Sequence, residues 1–228
     1  FLSDYDSRDP SCRPVPRPSL TKIITEPPPI EPKFVWLGLE YLDNLDDAVK
    51  DGFLQIRELL GDKIETVDAK EATKKLIAAH KTIHEYQLLE NLAPINQENP
   101  GKMNKLILEA LERAKSISAS DLSLALEIRK EAQNFFESLF LDYDAIITPS
   151  ALSEPPLLKE NSTGNPICCT IWTLCGLPCF NIPLLSGENR LPIGVQLVGQ
   201  FEEDDRLIRT ANWLQKYLTD AVSGQKTS

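Results

Sequence analysis

Three groups of side chains in this sequence stand at spacings that could support chemistry. His80 and His84 are four residues apart, so on a helix they would share one face and could bind a metal ion. Ser19 and Lys22 form an S-x-x-K pattern, in which a lysine can activate a serine nucleophile. Four of the five cysteines fall within twelve residues: Cys168, Cys169, Cys175 and Cys179.

None of these groups completes a site on sequence evidence. The two histidines have no third ligand at a diagnostic spacing, so solvent-facing positions on a helix are the simpler interpretation. The S-x-x-K pattern must open a buried helix, but here it lies in a proline-rich segment. The cysteine spacing C-C-x5-C-x3-C lacks the C-x2-4-C pairs of zinc sites, so we expect free and mostly buried thiols in a reducing cytosol. We therefore predict no metal and no cofactor.

The composition excludes several functional classes. The chain has 228 residues, of which 42% are hydrophobic and 25% charged, as in ordinary globular proteins. A net charge of −10, with no Lys/Arg block longer than two, argues against a nucleic-acid partner. No apolar run approaches the roughly 18 residues of a membrane span, and the N-terminus lacks the features of a signal peptide. We expect a cytoplasmic protein, and because the chain begins at Phe1 we interpret it as a processed piece or an incomplete sequence.

The first part of the chain predicts a linker followed by a βαβ unit. Residues 1–33 are rich in proline and should be extended, because proline removes backbone donors and blocks helix. Residues 34–37 form an apolar run typical of a buried strand. Apolar residues then recur at steps of three and four over 43–60, which predicts a helix, and 64–67 read as a second strand.

The remaining residues predict helices, then a strand, a helix, a hairpin and a closing helix. The predicted helices are 69–92, in one or two pieces, 103–116, 118–141, 167–174 and 204–218, and the predicted strands are 145–148, 179–184 and 193–199. The last two strands should pair as an antiparallel hairpin. We predict an α/β fold, a mixed sheet covered by helices on both faces, with a domain over 34–220 and a tail over 221–228.

A series of motifs in the C-terminal part carries a family resemblance. In chain order they read D-Y-D-A-I-I-T-P-S over 142–150, S-T-G-N-P-I over 162–167, W-T-L-C-G-L-P over 172–178 and L-P-I-G-V-Q-L-V-G over 191–199. The series resembles the C-terminal third of the amidase-signature family. One departure is Asn165, where the family version of this loop, G-D-P, has an aspartate.

The resemblance implies a hydrolase of carboxylic-acid amides that uses a Ser–Ser–Lys triad. In that family a Gly/Ser-rich signature holds the triad, and its backbone N–H groups form the oxyanion hole. The 228 residues contain neither a G-S-S nor an S-G-G run, so no catalytic residue can be carried over. The resemblance therefore implies the C-terminal portion of an amidase domain without its catalytic residues.

Pocket residues are predicted from the ends of strands, where ligands bind in α/β folds. Four side chains lie near such positions, although core packing or loop capping would also explain them: Thr148, Ser150, Trp172 and Cys175. We expect Trp172 to be buried near Leu174, Leu177 and Ile182.

Three functions follow as hypotheses. The first is the C-terminal portion of an amidase, which supplies part of the sheet, covering helices and a pocket wall, while the N-terminal half of the fold is its partner and a small-molecule amide its substrate. The second is a non-catalytic interaction module of amidase ancestry. The third is part of an A-type amidotransferase subunit. Because strands 145–148 and 193–199 should lose neighbours from the missing half, we expect the chain to form a homo-oligomer or to depend on that half.

Overall fold

A five-stranded mixed sheet organises the molecule. The computed structural model describes residues 5–9, 12, 14, 19–160 and 162–225. The strands are β1 (Phe34–Gly38), β2 (Ile64–Asp68), β3 (Ala145–Pro149), β4 (Cys179–Ser186) and β5 (Pro192–Val198). Their order is β2-β1-β3-β5-β4, with β1, β2 and β3 parallel and β5 antiparallel to both of its neighbours.

Helices cover both faces of this sheet, as predicted. They are α1 (Leu20–Ile23), α2 (Asp47–Leu60), α3 (Lys70–Glu98), α4 (Lys105–Ala114), α5 (Ala119–Leu139), α6 (Ile167–Cys175) and α7 (Asp204–Gln225). One apolar core joins the sheet to α3, α5 and α6, and a second joins its other face to α2 and α7. The fold is therefore a three-layer α/β arrangement. Within the described residues, no helix is both long and apolar enough to span a membrane.

The predicted βαβ unit is confirmed by the parallel pairing of β1 with β2 around α2. The register runs from Phe34 opposite Ile64 to Gly38 opposite Asp68. The helix begins at Asp47 rather than at residue 43, because Glu40–Asn44 forms a separate 3-10 turn and Leu45 is extended. The apolar face of α2 then packs on the sheet.

Two helix ends follow the local signals that the sequence carries. The hydroxyl of Ser118 accepts from the N–H of Asp121 at 3.1 Å, and the carboxylate of Asp121 accepts from the N–H of Ser118 at 2.9 Å, which is the capping box at the start of α5. At the end of α6, Gly176 is left-handed and the N–H of Leu177 donates to the carbonyl of Trp172 at 3.0 Å. This Schellman ending turns the chain back into β4.

The prediction for the region after residue 69 differs from the structure. A single helix, α3, continues through Pro94 to Glu98 instead of ending at residue 92. Pro94 is exposed, and so is Glu90, whose carbonyl loses its helical partner at a proline four residues on. Water can satisfy that carbonyl at the surface, so the helix continues.

The expected loss of neighbours around strands 145–148 and 193–199 is wrong. In the structure β3 lies between β1 and β5, and β5 lies between β3 and β4. Both strands are buried along nearly their whole length. In the described sheet the strands with an unpaired side are β2 and β4, whose residues are largely half-buried or exposed.

Candidate functional site

A pocket of about 580 Å³ lies beyond the end of β3, between the loop that follows it, the start of α6 and the β4–β5 hairpin. Since the three parallel strands end on this side, it is where ligand sites form in α/β folds. Five of its lining residues are proline, and we call it the proline pocket. Its lining residues are Ser150, Ala151, Leu152, Ser153, Glu154, Pro155, Pro156, Thr163, Gly164, Asn165, Pro166, Asn181, Pro183, Pro192, Ile193 and Gly194.

A row of polar side chains crosses the sheet next to the pocket. Thr148 of β3 is opposite Gln196 of β5, which is opposite Asn181 of β4, so the three share one face. The Nε2 of Gln196 donates to the carbonyl oxygen of Cys168 at 3.3 Å, which ties the row to α6. The hydroxyls of Thr148 and of the nearby Tyr41 are both buried beside this row.

Gly194 allows two polar groups of the pocket to converge. A Cβ at this position would lie 2.0 Å from Oδ1 of Asn181 and 2.3 Å from Oγ of Ser150. The hydroxyl of Ser150 donates to the carbonyl oxygen of Gly194 at 3.2 Å. Any larger residue would push these groups apart, so glycine is required for this wall of the pocket.

Glu154 holds the pocket loop against the hairpin turn. Its carboxylate accepts from the N–H of Asn189 at 3.0 Å, from Nδ2 of Asn189 at 2.8 Å and from the N–H of Leu191 at 3.0 Å. Hydrogen bonds to an ionised carboxylate are stronger than those between neutral groups. One side chain thus connects segments that are 35 residues apart in the sequence.

The start of α6 forms another wall. The side-chain oxygen of Asn165 accepts from the N–H of Ile167 at 3.0 Å and so satisfies one of the unpaired donors of the first turn. An aspartate, expected from the family pattern, would make the same bond with a negative charge. Asn165 therefore keeps the local structure and removes that charge from the pocket.

Trp172 lies in the core, as expected, with 1% of its surface exposed. Its ring meets Phe136 of α5 edge to face at 5.6 Å between centroids. Leu174 and Leu177 belong to the same core, but Ile182 packs in the core on the opposite face of the sheet. The expectation that Ile182 is a neighbour is therefore wrong, because residues of β4 alternate between the two faces.

The clustered cysteines divide into two groups, which corrects the expectation that they are mostly buried. Cys168 and Cys175 on α6 are 1% exposed, and burial raises the pKa of each thiol to about 12. Cys169 and Cys179 are exposed, and the four cysteines of the cluster form no disulfide. No group of three His, Cys, Asp or Glu side chains in the described part of the chain could hold a metal ion.

The structure does not bring the four predicted pocket residues together. Ser150 lines the proline pocket, whereas Cys175 lines a separate cavity of about 320 Å³ between α5, α6 and Phe201. Thr148 and Trp172 are buried at 3% and 1% exposure. The sequence reasoning missed Asn181, whose signal was a polar residue inside the apolar strand C-F-N-I-P.

The remaining sequence candidates lie outside the pocket. His84 is exposed, while His80 is half-buried and stacks on it at 5.6 Å. Burial, and then His84, lower the pKa of His80. Ser19 and Lys22 are both exposed at the short helix α1.

The chain is similar in sequence to the A subunits of amidotransferases. Over 100 residues the chain is 32% identical to the A subunit of a mitochondrial glutamyl-tRNA(Gln) amidotransferase from Anopheles gambiae, covering 40% of this chain and 20% of the relative. Over 216 residues it is 26% identical to the A subunit of the glutamyl-tRNA(Gln) amidotransferase from Pseudothermotoga lettingae, covering 80% of this chain and 45% of the relative.

A solved amidase shares the fold with a TM-score of 0.72 at 18% identity, covering 84% of this chain and 47% of that one. The chain thus spans less than half the length of these proteins. The Amidase family model matches residues 56–208, about two thirds of the sequence. The chain belongs to the amidase family.

Proposed function

We propose that this chain forms the C-terminal part of an amidase that hydrolyses carboxylic-acid amides. The family match over residues 56–208 carries the proposal. Since the chain spans less than half the length of these relatives and lacks the Gly/Ser-rich signature, its role is to supply a pocket wall and part of the sheet rather than the nucleophile. The proline pocket is that wall, with Ser150, Asn165 and Asn181 as its polar groups.

The other half of the same fold is the proposed partner, and it joins at β4. The N–H of Gly199 donates to the carbonyl of Pro178 at 3.0 Å, so in the alternating pattern Phe180 and Ile182 bond to β5. The backbone groups of Cys179 and Asn181 then point away from the sheet. An added strand at this edge would stand beside Asn181, a pocket residue, and would close the pocket from its open side.

Exposed apolar side chains near the pocket support the same partner. Leu157 and Leu158, in the loop after β3, are 54% and 98% exposed, and Leu191 in the hairpin is 41% exposed. Apolar side chains grouped around a site are typical of surfaces that another element covers. The loop and the hairpin would both contact the added half.

The experiment compares this chain with the protein encoded by the complete reading frame. We expect the longer protein to hydrolyse linear amides and to react with a serine-directed fluorophosphonate probe, while the 228-residue chain does neither. A labelled serine in the chain alone would contradict the proposal, as would a reading frame without a lysine and a Gly/Ser-rich signature upstream. That second result would favour a non-catalytic module.

Hydrogen exchange tests the proposed edge directly. In the chain alone the N–H groups of Cys179 and Asn181 should exchange fast, while those of Phe180 and Ile182 are protected by β5. In the longer protein Cys179 and Asn181 should become protected. Unchanged exchange at both positions would mean that the other half joins elsewhere.

A second candidate is part of an A-type amidotransferase subunit, and the names of the curated relatives favour it. Such a protein would transfer an amide group as one subunit of an assembly. Assay of the longer protein with glutamine, with and without partner subunits, separates this candidate from a hydrolase of simple amides.

A further inference from the structure

The charges of the proline pocket indicate which substrates it accepts. Among the described lining residues there is no Lys or Arg, and the charged side chain there is Glu154. Its carboxylate accepts hydrogen bonds from the N–H groups of the hairpin turn. Lys159 and Arg190, the described cations nearest in sequence, are exposed and do not line it. A carboxylate placed here would have no positive partner and would meet a like charge.

The polar groups that do line the pocket are neutral. Oδ1 of Asn181 and Oγ of Ser150 converge over Gly194, and no side-chain hydrogen bond engages the Asn181 amide in the described structure. Asn165 adds a second amide at the start of α6. Amide side chains both donate and accept, which matches an uncharged polar group such as a carboxamide or hydroxyl. The five prolines, with Leu152 and Ile193, supply rigid apolar surface around them.

We propose that the proline pocket selects substrates whose acyl portion is uncharged and excludes those that carry a second carboxylate. This inference rests on the proposed amidase function and adds the substrate class. It separates the two candidate functions, because an amino-acid amide such as glutamine brings a carboxylate that this wall cannot pair. Desolvation of an unpaired carboxylate is costly, whereas a carboxamide exchanges its water contacts for Asn181 and Ser150.

The test uses the isotopically labelled chain and two probes of the same length, hexanamide and hexanoate. Binding is followed by NMR at the amides of Gly164 and Gly194, which line the pocket, with Gly61 and Gly101, which do not line it, as references. We expect hexanamide to shift Gly164 and Gly194 in a saturable way. We expect hexanoate to bind more weakly by about tenfold or more, a difference that corresponds to about 1.4 kcal/mol.

A charge added to the wall should reverse the preference. N181K places a cation between the polar groups, so the hexanoate affinity should rise to or above that for hexanamide. T163K, at an exposed lining residue, repeats the test if N181K does not fold. N91K, on the exposed side of α3, is the matched control and should change neither affinity.

The outcomes separate this inference from the proposed function. Equal binding of both probes, or a preference that N181K and T163K leave unchanged, would overturn the charge selection and leave the pocket wall in place. No shift at Gly164 and Gly194 with either probe would overturn the pocket as a ligand site. Amidase activity of the longer protein is measured independently of both results.

Discussion

The two edges of the sheet differ in charge and in surroundings. At the β2 edge, Glu65 accepts a hydrogen bond from the hydroxyl of Tyr143 at 2.7 Å, and Thr66 accepts one from Arg57 at 3.0 Å. At the β4 edge the eight residues C-F-N-I-P-L-L-S carry no charge, and exposed leucines stand nearby. Proteins protect a free edge with charged side chains, so the β2 edge has this protection and the β4 edge lacks it.

The proline pocket belongs to one of these two edges. The proline pocket lies on the β4 side, where Asn181 and Pro183 belong to both the edge strand and the wall. Pro183 follows Asn181 by two residues and has no N–H to offer, which limits the pairing surface to the start of β4. The uncharged edge of the sheet is therefore also the edge that borders the proline pocket.

The largest expected effect tests the core between the sheet and α6, the helix whose start forms one wall of the proline pocket. W172A should lower the free energy of unfolding by about 3–5 kcal/mol, because this side chain of α6 is fully buried against Phe136 of α5. Denaturant titration followed by circular dichroism measures it. L158A, which removes a 98% exposed side chain, should stay within about 0.5 kcal/mol. An unchanged midpoint for W172A would show that α6 is only loosely attached without the other half.

The next effect tests whether Glu154 organises the wall of the proline pocket. E154A should lower the free energy of unfolding by about 0.5–1.5 kcal/mol, because the N–H groups of Asn189 and Leu191 lose an acceptor that water replaces at these exposed positions. It should also speed hydrogen exchange at those two amides. E188A, in the same turn and exposed, is the matched control. Equal effects of the two substitutions would mean that Glu154 does not organise the hairpin.

The loss of stability at alkaline pH tests whether the thiols on α6 are buried. Burial raises the pKa of Cys168 and Cys175 from 9.0 to about 12, so the folded state keeps protons that the unfolded state releases. Their stabilisation is complete below pH 9 and is lost as the pH rises toward 12, at about 1 kcal/mol per thiol for the first pH unit. Thermal melts between about pH 8 and pH 10 measure this loss.

A pair of single substitutions assigns that loss to the buried thiols. C175A should remove the share of one thiol and leave the shares of the other groups whose pKa burial raises, Cys168, Cys179 and Tyr41. C169A, at an exposed position, should not change the loss. If the loss of stability with rising pH is the same in C175A and in C169A, groups other than the buried thiols cause it.

The smallest effect concerns association of the chain with itself. A lysine on the uncharged edge, C179K, should lower the weight-average mass measured by light scattering and the binding of a dye for apolar surface. T66K, on the edge that already carries charges, should change neither. Equal behaviour of the two variants, or a dye-negative monomer before any substitution, would contradict the difference between the edges.

Local signals in the sequence were sufficient for most of the elements. The capping box at Ser118, the glycine ending at Gly176 and the turn residues between the last two strands act over a few residues, and the structure has each of them. The apolar periodicity of α2 and the apolar runs of β1 and β3 likewise identify buried elements. The order of motifs from residue 142 onward identified the amidase family, which the family match confirms.

Tertiary structure alone decided which residues meet. The sequence does not say that β3 lies between β1 and β5, because strand order depends on long-range pairing rather than on local periodicity. For the same reason it missed that Glu154 binds the turn at Asn189, and that Asn181 and Ser150 converge over Gly194. The sequence also wrongly predicted Ile182 as a neighbour of Trp172, because the face of each β4 residue is fixed only by its register with β5. Composition and spacing determine the elements and the family, whereas the wall of the pocket exists only once distant segments pack together.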